Sequence, residues 1–344
     1  MEVASKFTVS KTKFIDFPEL ENIKVIEFKV SNHNLFSRLL WLNVRLPLIC
    51  LSKRIDLLHR IIAELPLIRM CKYVITLHDF MFDFYIQNQK LRKYLSIKDL
   101  AKFLFLKNLN QHAFIKSSSI IVFTETLKEE FTKKYKLLKS KVQVVYAASE
   151  EKDLFRTEKK VISPYSFGMV AGFYPHKGHL RVLKLASYFI QLNFVDFKIY
   201  FRGSHVYKNL VTEVKKEIKK LGLDNYVTFE AYDPKASLSD IYSKYDAVLL
   251  ISEYEGFGFP VLEAQSHSSV VICSDIPVFK EILGDSALYM NLNFTKNEAQ
   301  NLLITLSDTQ KLAQLKKAGI INVHSYSWPR MAKKTMELYH QFLN

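Results

Sequence analysis

The sequence contains few cysteines and few glycines, and both shortages exclude classes of protein. Its 344 residues include three cysteines, Cys50, Cys71 and Cys273. These are too few and too scattered for a disulfide framework or a zinc site, and they fit a reducing, cytoplasmic setting. The first of nine glycines is Gly168, so no Gly-Gly loop precedes it. The N-terminus, Met-Glu-Val-Ala-Ser-Lys, has no long apolar run, and we expect no signal peptide.

Acidic residues are scarce relative to basic ones. Lysine and arginine number 49 and aspartate and glutamate 34, which gives a formal net charge of +15. Such a charge suits nucleic acid, an anionic membrane surface or a lysine-rich proteome. The lysines are spread along the chain, with neither zinc-finger spacing nor an RNP-like segment, which disfavours a specific nucleic-acid binder. A nucleic-acid binder would show steeply salt-dependent affinity for DNA or RNA.

Residues 35–49 form an apolar run, Leu-Phe-Ser-Arg-Leu-Leu-Trp-Leu-Asn-Val-Arg-Leu-Pro-Leu-Ile, that contains two arginines. Arg38, Arg45 and Pro47 argue against a membrane-spanning helix. Two interpretations remain open. The run forms a basic amphipathic helix that makes peripheral contact with an anionic bilayer, or its apolar face packs on a sheet, which we favour.

Short apolar runs alternate with helical patterns through both halves of the chain. Predicted strands in the first half lie at 23–28, 56–59, 73–78, 119–123 and 142–146. Those in the second half lie at 165–170, 197–201, 227–229, 247–251 and 270–273. Continuous apolar strands with helices between them indicate parallel sheets covered on both faces, so we predict an α/β protein with two doubly wound Rossmann-like domains.

The domain boundary is predicted in the charged stretch 150–164, which ends in Ser-Pro. The domains then span 1–155 and 156–325, and a final helix occupies 326–344. Ligands of open α/β sheets bind at the carboxyl ends of the strands, so we expect the site in the cleft between the two domains.

The most informative stretch is 252–263, Ser-Glu-Tyr-Glu-Gly-Phe-Gly-Phe-Pro-Val-Leu-Glu. It follows a predicted strand and leads into a predicted helix with Pro260 at its first position. A glycine-rich turn of this kind presents free N–H groups and the positive end of a helix dipole, which suit a phosphate. The carboxylates of Glu255 and Glu263 suit hydroxyl groups or a developing cation. Phosphate together with a polyol is the profile of a nucleotide sugar.

This string resembles the E-x7-E motif of retaining GT-B glycosyltransferases of family 4, the glycosyl transferases group 1. The continuation is similar to the same family, with Ser-Asp-Ile-Pro at 274–277 and Lys-Glu-Ile-Leu-Gly-Asp at 280–285. The segment Tyr-Ser-Trp-Pro-Arg at 326–330 resembles the family's approach to a helix that crosses back to the first domain. The resemblance implies a retaining, metal-independent glycosyltransferase with a UDP-, GDP- or ADP-sugar as donor and no cofactor. Since the sequence has no Asp-x-Asp motif, side chains and helix ends would neutralise the diphosphate.

The resemblance also implies roles for the residues of the string. Glu255 would contact the sugar, Glu263 would hold the ribose hydroxyls, and residues 230–234 lie where the family seats the base. The backbone that would hold the diphosphate and the sugar belongs to Gly256, Phe257, Gly258 and Phe259. We therefore predict that nearly all the residues that bind the nucleotide sugar, called the donor side below, are present.

One charge of the family's donor side is absent. The family has an arginine and, five residues later, a lysine in the segment that corresponds to 168–179. Lys177 matches the lysine, but Gly172 takes the place of the arginine. Arg202 is the nearest candidate to replace the lost charge at the diphosphate, and His176 is another.

Histidines mark the predicted acceptor side. His78, in Thr-Leu-His-Asp-Phe, matches a family histidine near the transferred sugar, and we predict it as catalytic beside Glu255. The alternative is a structural histidine held by Asp79. His59 also matches a family position, and Thr124 is expected to cap the helix after its strand.

The start of the chain departs from the family. Residues 7–10 and 21–28 are similar to the family's second set of elements, so the first domain is expected to lack its opening β-α unit. A sheet that lacks an inner strand exposes an edge, which another segment of the chain, a partner chain or oligomer, or an adjustment of the fold must cover.

Two hypotheses follow. The first is a retaining glycosyltransferase that acts on a glycan or a lipid-linked acceptor, in the cytoplasm or at the inner face of the membrane. The second is a non-catalytic GT-B homologue that binds nucleotide or glycan as a partner subunit. A GT-B epimerase or phosphorylase is disfavoured because 255–263 matches the transferases better.

Overall fold

The computed structural model describes residues 35–149 and 163–343, apart from 232 and 234. It contains two domains, each built on one open sheet whose strands are all parallel. The prediction of an α/β protein with two parallel-sheet domains is confirmed. The predicted strand 23–28, the opening of the first domain and the boundary up to residue 162 lie outside the described residues.

The first sheet has the strand order β1-β2-β3-β4. Its strands are β1 (Leu57–Arg60), β2 (Lys72–Leu77), β3 (Ser119–Val122) and β4 (Val142–Val144). The helices of this domain are α1 (Leu35–Leu40), α2 (Leu46–Ser52), α3 (Met81–Gln87), α4 (Ile97–Lys116) and α5 (Glu125–Lys134). Four of the predicted strands of this half therefore exist, with ends shifted by one or two residues.

The second sheet has the order β10-β9-β8-β5-β6-β7. Its strands are β5 (Tyr165–Val170), β6 (Phe197–Arg202), β7 (Val227–Glu230), β8 (Ala247–Leu250), β9 (Val270–Ser274) and β10 (Leu288–Met290). Its helices are α6 (His179–Gln191), α7 (Lys208–Lys220), α8 (Leu238–Tyr242), α9 (Phe259–Ser266), α10 (Pro277–Leu283), α11 (Lys296–Ser307) and α12 (Thr309–Val323). The order reverses between β5 and β8, and ligands of such sheets bind at this point.

Local sequence explains where several helices begin. The Thr124 hydroxyl accepts from the Leu127 N–H at 3.0 Å and caps α5 as predicted. Ser96 and Asp99 form a reciprocal capping box at α4. The buried strands of the two sheets are rich in branched and aromatic residues, which fit a pleated surface covered on both faces.

Residues 35–52 form one continuous helical segment, because a π-helical turn at Trp41–Arg45 joins α1 to α2. One face of this segment is buried, with Leu42, Leu46 and Cys50 packed against residues that include Leu58 and Met70. The interpretation that an apolar face of the segment packs on the domain is confirmed for the face that carries Leu42, Leu46 and Cys50. Among the described helices, none combines the length and the hydropathy that a bilayer crossing requires.

The last helix, α13 (Trp328–Leu343), lies on the first sheet rather than the second. Its Leu338 and Tyr339 pack against Val74 of β2 and Ile121 of β3. Where the chain leaves the first domain, the Ser149 N–H donates to the Tyr326 carbonyl oxygen at 2.9 Å, so the outgoing and returning segments are bonded to each other.

Candidate active site

The turn between β8 and α9 carries Glu255 and depends on a glycine at its end. Gly258 has φ +93° and precedes the first residue of α9. A Cβ there would lie 2.7 Å from Cε1 of Phe279, so both conformation and space require glycine. Pro260 is the second residue of α9, one place later than predicted, and no described side chain caps this helix.

The turn between β5 and α6 also lies beside the end of β8. Lys177 ends a 3-10 turn, and Gly178, with φ +84°, precedes α6, which no described side chain caps. A Cβ at Gly178 would lie 2.0 Å from the carbonyl oxygen of Ile251, just after β8. Two helix N-termini therefore converge beside the end of β8, an arrangement that favours an anion.

Lys177 and Glu255 form an ion pair at this convergence. The Lys177 Nζ donates to Oε1 and Oε2 of Glu255 at 2.7 and 2.8 Å. The side chains are only 17% and 7% exposed, so water screens this pair weakly. The structure thus brings together two residues that the sequence predicts for the diphosphate and the sugar. In this structure their charges neutralise each other.

His78 lies at the opposite wall of the cleft. A Cβ at Gly256 would be 2.0 Å from the His78 carbonyl oxygen, so the turn that carries Glu255 touches the first domain here. The His78 Nε2 donates to the Ile61 carbonyl oxygen at 2.7 Å, and the ring meets Phe123 edge-on. Asp79, the partner named in the alternative of a structural histidine, accepts from the Met81 N–H through Oδ1 at 2.8 Å.

Asp79 is an acidic residue of the site that sequence reasoning missed. Burial raises the pKa of its carboxyl group above the usual range, and the nearby Glu255 carboxylate raises it further. The Met81 N–H, His78 and Lys177 act in the opposite direction. Its position directly after His78 in a strand-ending segment is the signal that could have identified it.

Tyr254 attaches the same turn to the first domain and was also missed. Its ring stacks on Phe84 with centroids 4.9 Å apart. Its hydroxyl accepts from the Phe80 N–H at 2.8 Å and donates to Oε2 of Glu130 at 3.0 Å. Because Tyr254 immediately precedes Glu255, these contacts fix the carboxylate relative to the first domain.

A second connection between the domains involves Glu281 of α10. Its carboxylate accepts from the N–H groups of Glu125 and Thr126 at 2.6 and 2.8 Å, at the N-terminus of α5. It also accepts from the Tyr146 hydroxyl at 2.9 Å. A carboxylate at a helix N-terminus is favoured by the helix dipole, so this contact stabilises the observed arrangement of the domains.

Glu263 lies on α9, where Tyr242 holds it. The Tyr242 hydroxyl donates to Oε2 of Glu263 at 2.6 Å. Burial places the pKa of Tyr242 well above its ordinary value, so the hydroxyl stays protonated and keeps donating. Of the aromatic residues in the turn, Phe257 is buried and Phe259 is exposed.

The residues proposed to replace the missing arginine are already engaged. Arg202 is buried, and its Nη1 donates to Oε2 of Glu230 at 3.0 Å, where the Tyr245 hydroxyl also donates. His176 is buried with Nδ1 2.6 Å from the Tyr85 hydroxyl, and burial holds its pKa well below its ordinary value. His176 is therefore neutral and supplies no positive charge.

His59 belongs to a different part of the molecule. Its Nδ1 contacts the Tyr339 hydroxyl of α13, and its Nε2 lies 2.8 Å from Thr76 Oγ1. Burial lowers the pKa of His59 to about 4. The family-like position is thus occupied by a histidine that joins α13 to the first sheet. A shallow, open depression of about 440 Å³ lies at the start of β2, lined by residues such as Arg69 and Lys72.

In the described parts of the chain, no group of three or more His, Cys, Asp or Glu side chains is placed to hold a metal ion. Charge at the cleft comes instead from lysine, arginine and the two helix N-termini. Of residues 230–234, predicted to seat the base, 232 and 234 lie outside the described part.

Known proteins resemble this chain in sequence and in fold. A family model described as glycosyl transferases group 1 matches residues 150–320. The O-antigen chain mannosyltransferase RfbU of Salmonella typhimurium is 29% identical over 175 residues, which cover 50% of this chain and 46% of that protein. The chain thus spans less than half the length of this relative.

Two solved structures show the same fold at low sequence identity. Sucrose-phosphate synthase from Thermosynechococcus elongatus superposes with a TM-score of 0.74 at 14% identity, covering 98% of this chain and 88% of that one. Anabaena Alr3699/HepE, solved with UDP and glucose, gives a TM-score of 0.65 at 16% identity, with coverages of 92% and 86%.

Proposed function

The second domain of this chain belongs to the glycosyl transferases group 1 family, and we propose that the protein transfers a sugar from a nucleotide-diphosphate donor to a hydroxyl group with retention of configuration. The observation that carries this proposal is the Lys177–Glu255 pair. It lies between two uncapped helix N-termini and opposite His78.

In the proposed reaction, the diphosphate occupies the N-termini of α6 and α9 and takes Lys177 as its counter-charge. The bond from the anomeric carbon to the diphosphate breaks, and positive charge develops on the sugar. Glu255, released from Lys177, stabilises that charge. The acceptor oxygen then bonds to the same face of the anomeric carbon, and its proton passes to a diphosphate oxygen.

The remaining site residues supply binding and position. Glu263, held by Tyr242, binds the ribose hydroxyls of the donor. His78, fixed by Ile61, contributes to the acceptor side of the sugar pocket. Positive helix ends and side chains neutralise the leaving group without a metal ion.

The donor sugar is proposed from the relatives. RfbU is named a mannosyltransferase of O-antigen chains, so a mannosyl donor is the first to test, followed by other UDP-, GDP- and ADP-sugars. The acceptor is proposed to be a glycan or a lipid-linked glycan. In the latter case transfer takes place at a membrane surface, and the protein would be a peripheral protein of the inner face.

The test is a donor panel with mass spectrometry of the products. Wild-type protein is incubated with mixed nucleotide sugars and glycan or lipid-linked acceptors. We expect one acceptor to gain a single sugar mass and a nucleoside diphosphate to be released. Nucleotide-sugar binding by calorimetry without transfer or hydrolysis, for any donor and acceptor, would contradict the proposal.

That negative outcome corresponds to a second candidate, a non-catalytic homologue that binds nucleotide or glycan beside a partner chain. A specific observation favours it. Gly172 provides no charge, Arg202 is paired with Glu230 and Lys177 is paired with Glu255, so every predicted cation of the donor side has an internal partner. Such a protein would bind nucleotide weakly and transfer nothing.

A further inference from the structure

The helical segment 35–52 carries a row of exposed apolar side chains on the side away from its buried face. These side chains are Phe36, Leu40, Val44, Leu48 and Leu51, called the apolar stripe below. Each is between 42% and 75% exposed. Residues four apart lie along one side of a helix, and the row extends for about 22 Å at 1.5 Å per residue. Continuous apolar rows of this kind mark interaction surfaces rather than ordinary solvent-facing helices.

The stripe is not an isolated feature of the helix. The side chain of Asn43 accepts from the Leu67 N–H at 3.0 Å, which holds residues 67–68 beside the helix. Leu67 and Ile68 are exposed as well. The apolar surface therefore includes two chain segments, and the hydrophobic interior of the domain lies behind it, at Leu42 and Leu46.

Charge around the stripe is strongly positive. Between residues 35 and 72 the sequence has seven lysines and arginines against two acidic residues. One of the two acids, Glu64, is buried and paired with Arg38 and Arg60. The exposed cations of this region are Arg45, Lys53, Arg54, Arg69 and Lys72, against one exposed acid, Asp56. An apolar row bordered by cations is complementary to a bilayer that carries anionic headgroups.

Another exposed apolar residue of this region, Ile61, contacts His78, which is predicted to lie near the acceptor. Ile61 is 72% exposed, and its carbonyl oxygen is the hydrogen-bond acceptor of His78 Nε2. An exposed apolar residue thus stands directly beside the histidine whose backbone touches the turn that carries Glu255. A membrane held against the stripe would present a lipid-linked acceptor on the side from which it can reach His78.

We propose that the apolar stripe and its flanking cations dock the protein on an anionic lipid bilayer, so that an acceptor carried by that bilayer enters the cleft past Ile61. The inference rests on the proposed function only in its choice of acceptor. Bilayer binding itself requires neither donor nor transfer.

The test measures binding of the whole chain to vesicles by flotation. One vesicle preparation contains phosphatidylcholine alone, and the other contains phosphatidylcholine mixed with phosphatidylglycerol. Wild-type protein is expected to float with the anionic vesicles, to bind the neutral ones much less and to be released by high salt. Absence of binding to anionic vesicles at low ionic strength would overturn the proposal.

Variants separate the apolar from the electrostatic contribution. Leu48→Gln with Leu51→Gln is expected to lower partition into anionic vesicles about tenfold or more. Lys53→Gln with Arg54→Gln is expected to lower it roughly fivefold for each charge removed. If both double variants bind like wild type, the surface is not the docking site.

A matched control lies in the second domain. Ile304 on α11 and Ile321 on α12 are 62% and 61% exposed, close to the exposures of Leu48 and Leu51. Ile304→Gln with Ile321→Gln should leave vesicle binding unchanged. A loss of binding in this control would show nonspecific adhesion and would also overturn the proposal.

Two further measurements distinguish other causes. Light scattering reports self-association: a dimer abolished by Leu48→Gln with Leu51→Gln, without vesicle binding, assigns the stripe to a second copy of the chain. Transfer to a water-soluble acceptor should be unchanged in that variant, whereas transfer to a vesicle-embedded acceptor should fall with binding. If vesicle binding is observed but no transfer occurs, the proposed function fails while the docking surface stands.

Discussion

Replacing Glu255 with glutamine changes one charge at the centre of the cleft while keeping the size and shape of the side chain. In the wild-type protein a donor diphosphate must compete with Glu255 for Lys177, because both carboxylate oxygens accept from its Nζ at 2.7 and 2.8 Å. A glutamine offers Lys177 one uncharged carbonyl oxygen in place of two charged carboxylate oxygens. We therefore expect Glu255→Gln to have opposite effects on nucleotide binding and on transfer.

The magnitudes follow from the geometry of the pair. Hydrogen bonds to charged groups contribute about 1.5–3 kcal/mol each, and this pair is largely shielded from water. If freeing Lys177 becomes easier by about 1.4 kcal/mol, a nucleoside diphosphate binds roughly tenfold more tightly. Transfer should fall by about two to three orders of magnitude, because the carboxylate no longer stabilises the positively charged sugar.

Calorimetry with UDP, GDP and ADP measures the first effect, and product formation with the best donor measures the second. Glu253→Gln is the matched control, since Glu253 lies in the same turn but pairs with Arg181 at 2.8 Å. It should change neither quantity by more than a few fold. Nucleotide affinity that falls in parallel with transfer would refute the reasoning and assign Glu255 to the nucleotide. Transfer at the wild-type rate would remove Glu255 from the mechanism.

Three further predictions concern the residues that support Glu263, the turn before α6 and the attachment of α13. Tyr242→Phe removes a hydrogen bond to Glu263 and should weaken nucleoside diphosphate binding about fivefold, with a smaller loss for the 2′-deoxy analogue, measured by calorimetry. Gly178→Ala should destabilise the fold by more than about 2 kcal/mol in denaturant unfolding. Gly222→Ala, with positive φ but open space around the Cβ, should cost only about 1 kcal/mol. Burial lowers the pKa of His59 from 6.5 to about 4, so the unfolded chain takes up a proton at a higher pH than the folded protein. The free energy of unfolding should therefore decline as the pH falls from 6.5 towards 4. A free energy of unfolding that stays constant over this range would contradict the prediction.

The sequence predicts the sheets well because their signal is local. A largely apolar run that begins just after Pro164 predicts β5 at its observed bounds, Tyr165–Val170. By contrast, β10 covers only Leu288–Met290, and a run of three residues is too short to be recognised as a strand in the sequence. The helical pattern of 35–52 predicts an apolar face, but not that apolar side chains lie on two sides, one buried and one exposed.

The candidate site is only partly predictable because it depends on contacts between distant segments. The sequence identifies Lys177 and Glu255 separately, but only the packing of Gly178 on the end of β8 shows that they neutralise each other. Arg202 is predicted at the diphosphate, yet the parallel register places it directly beside Glu230. Tyr254 becomes identifiable only when the two domains are placed against each other, since its partners all lie on the first domain.

The bond between Ser149 and Tyr326 has a mechanical consequence. At this bond the last described residue of the first domain lies beside the end of the second domain, and α13 then anchors the chain on the first sheet through Leu338 and Tyr339. The second domain is therefore held to the first at its own C-terminal end, close to the point where the chain leaves the first domain. Together with the contacts of Tyr254 and Glu281, this attachment holds the Glu255 carboxylate in place relative to the first domain. Removing α13 would take away this anchor and leave the Ser149–Tyr326 bond and the contacts of Tyr254 and Glu281 to hold the two domains in this arrangement.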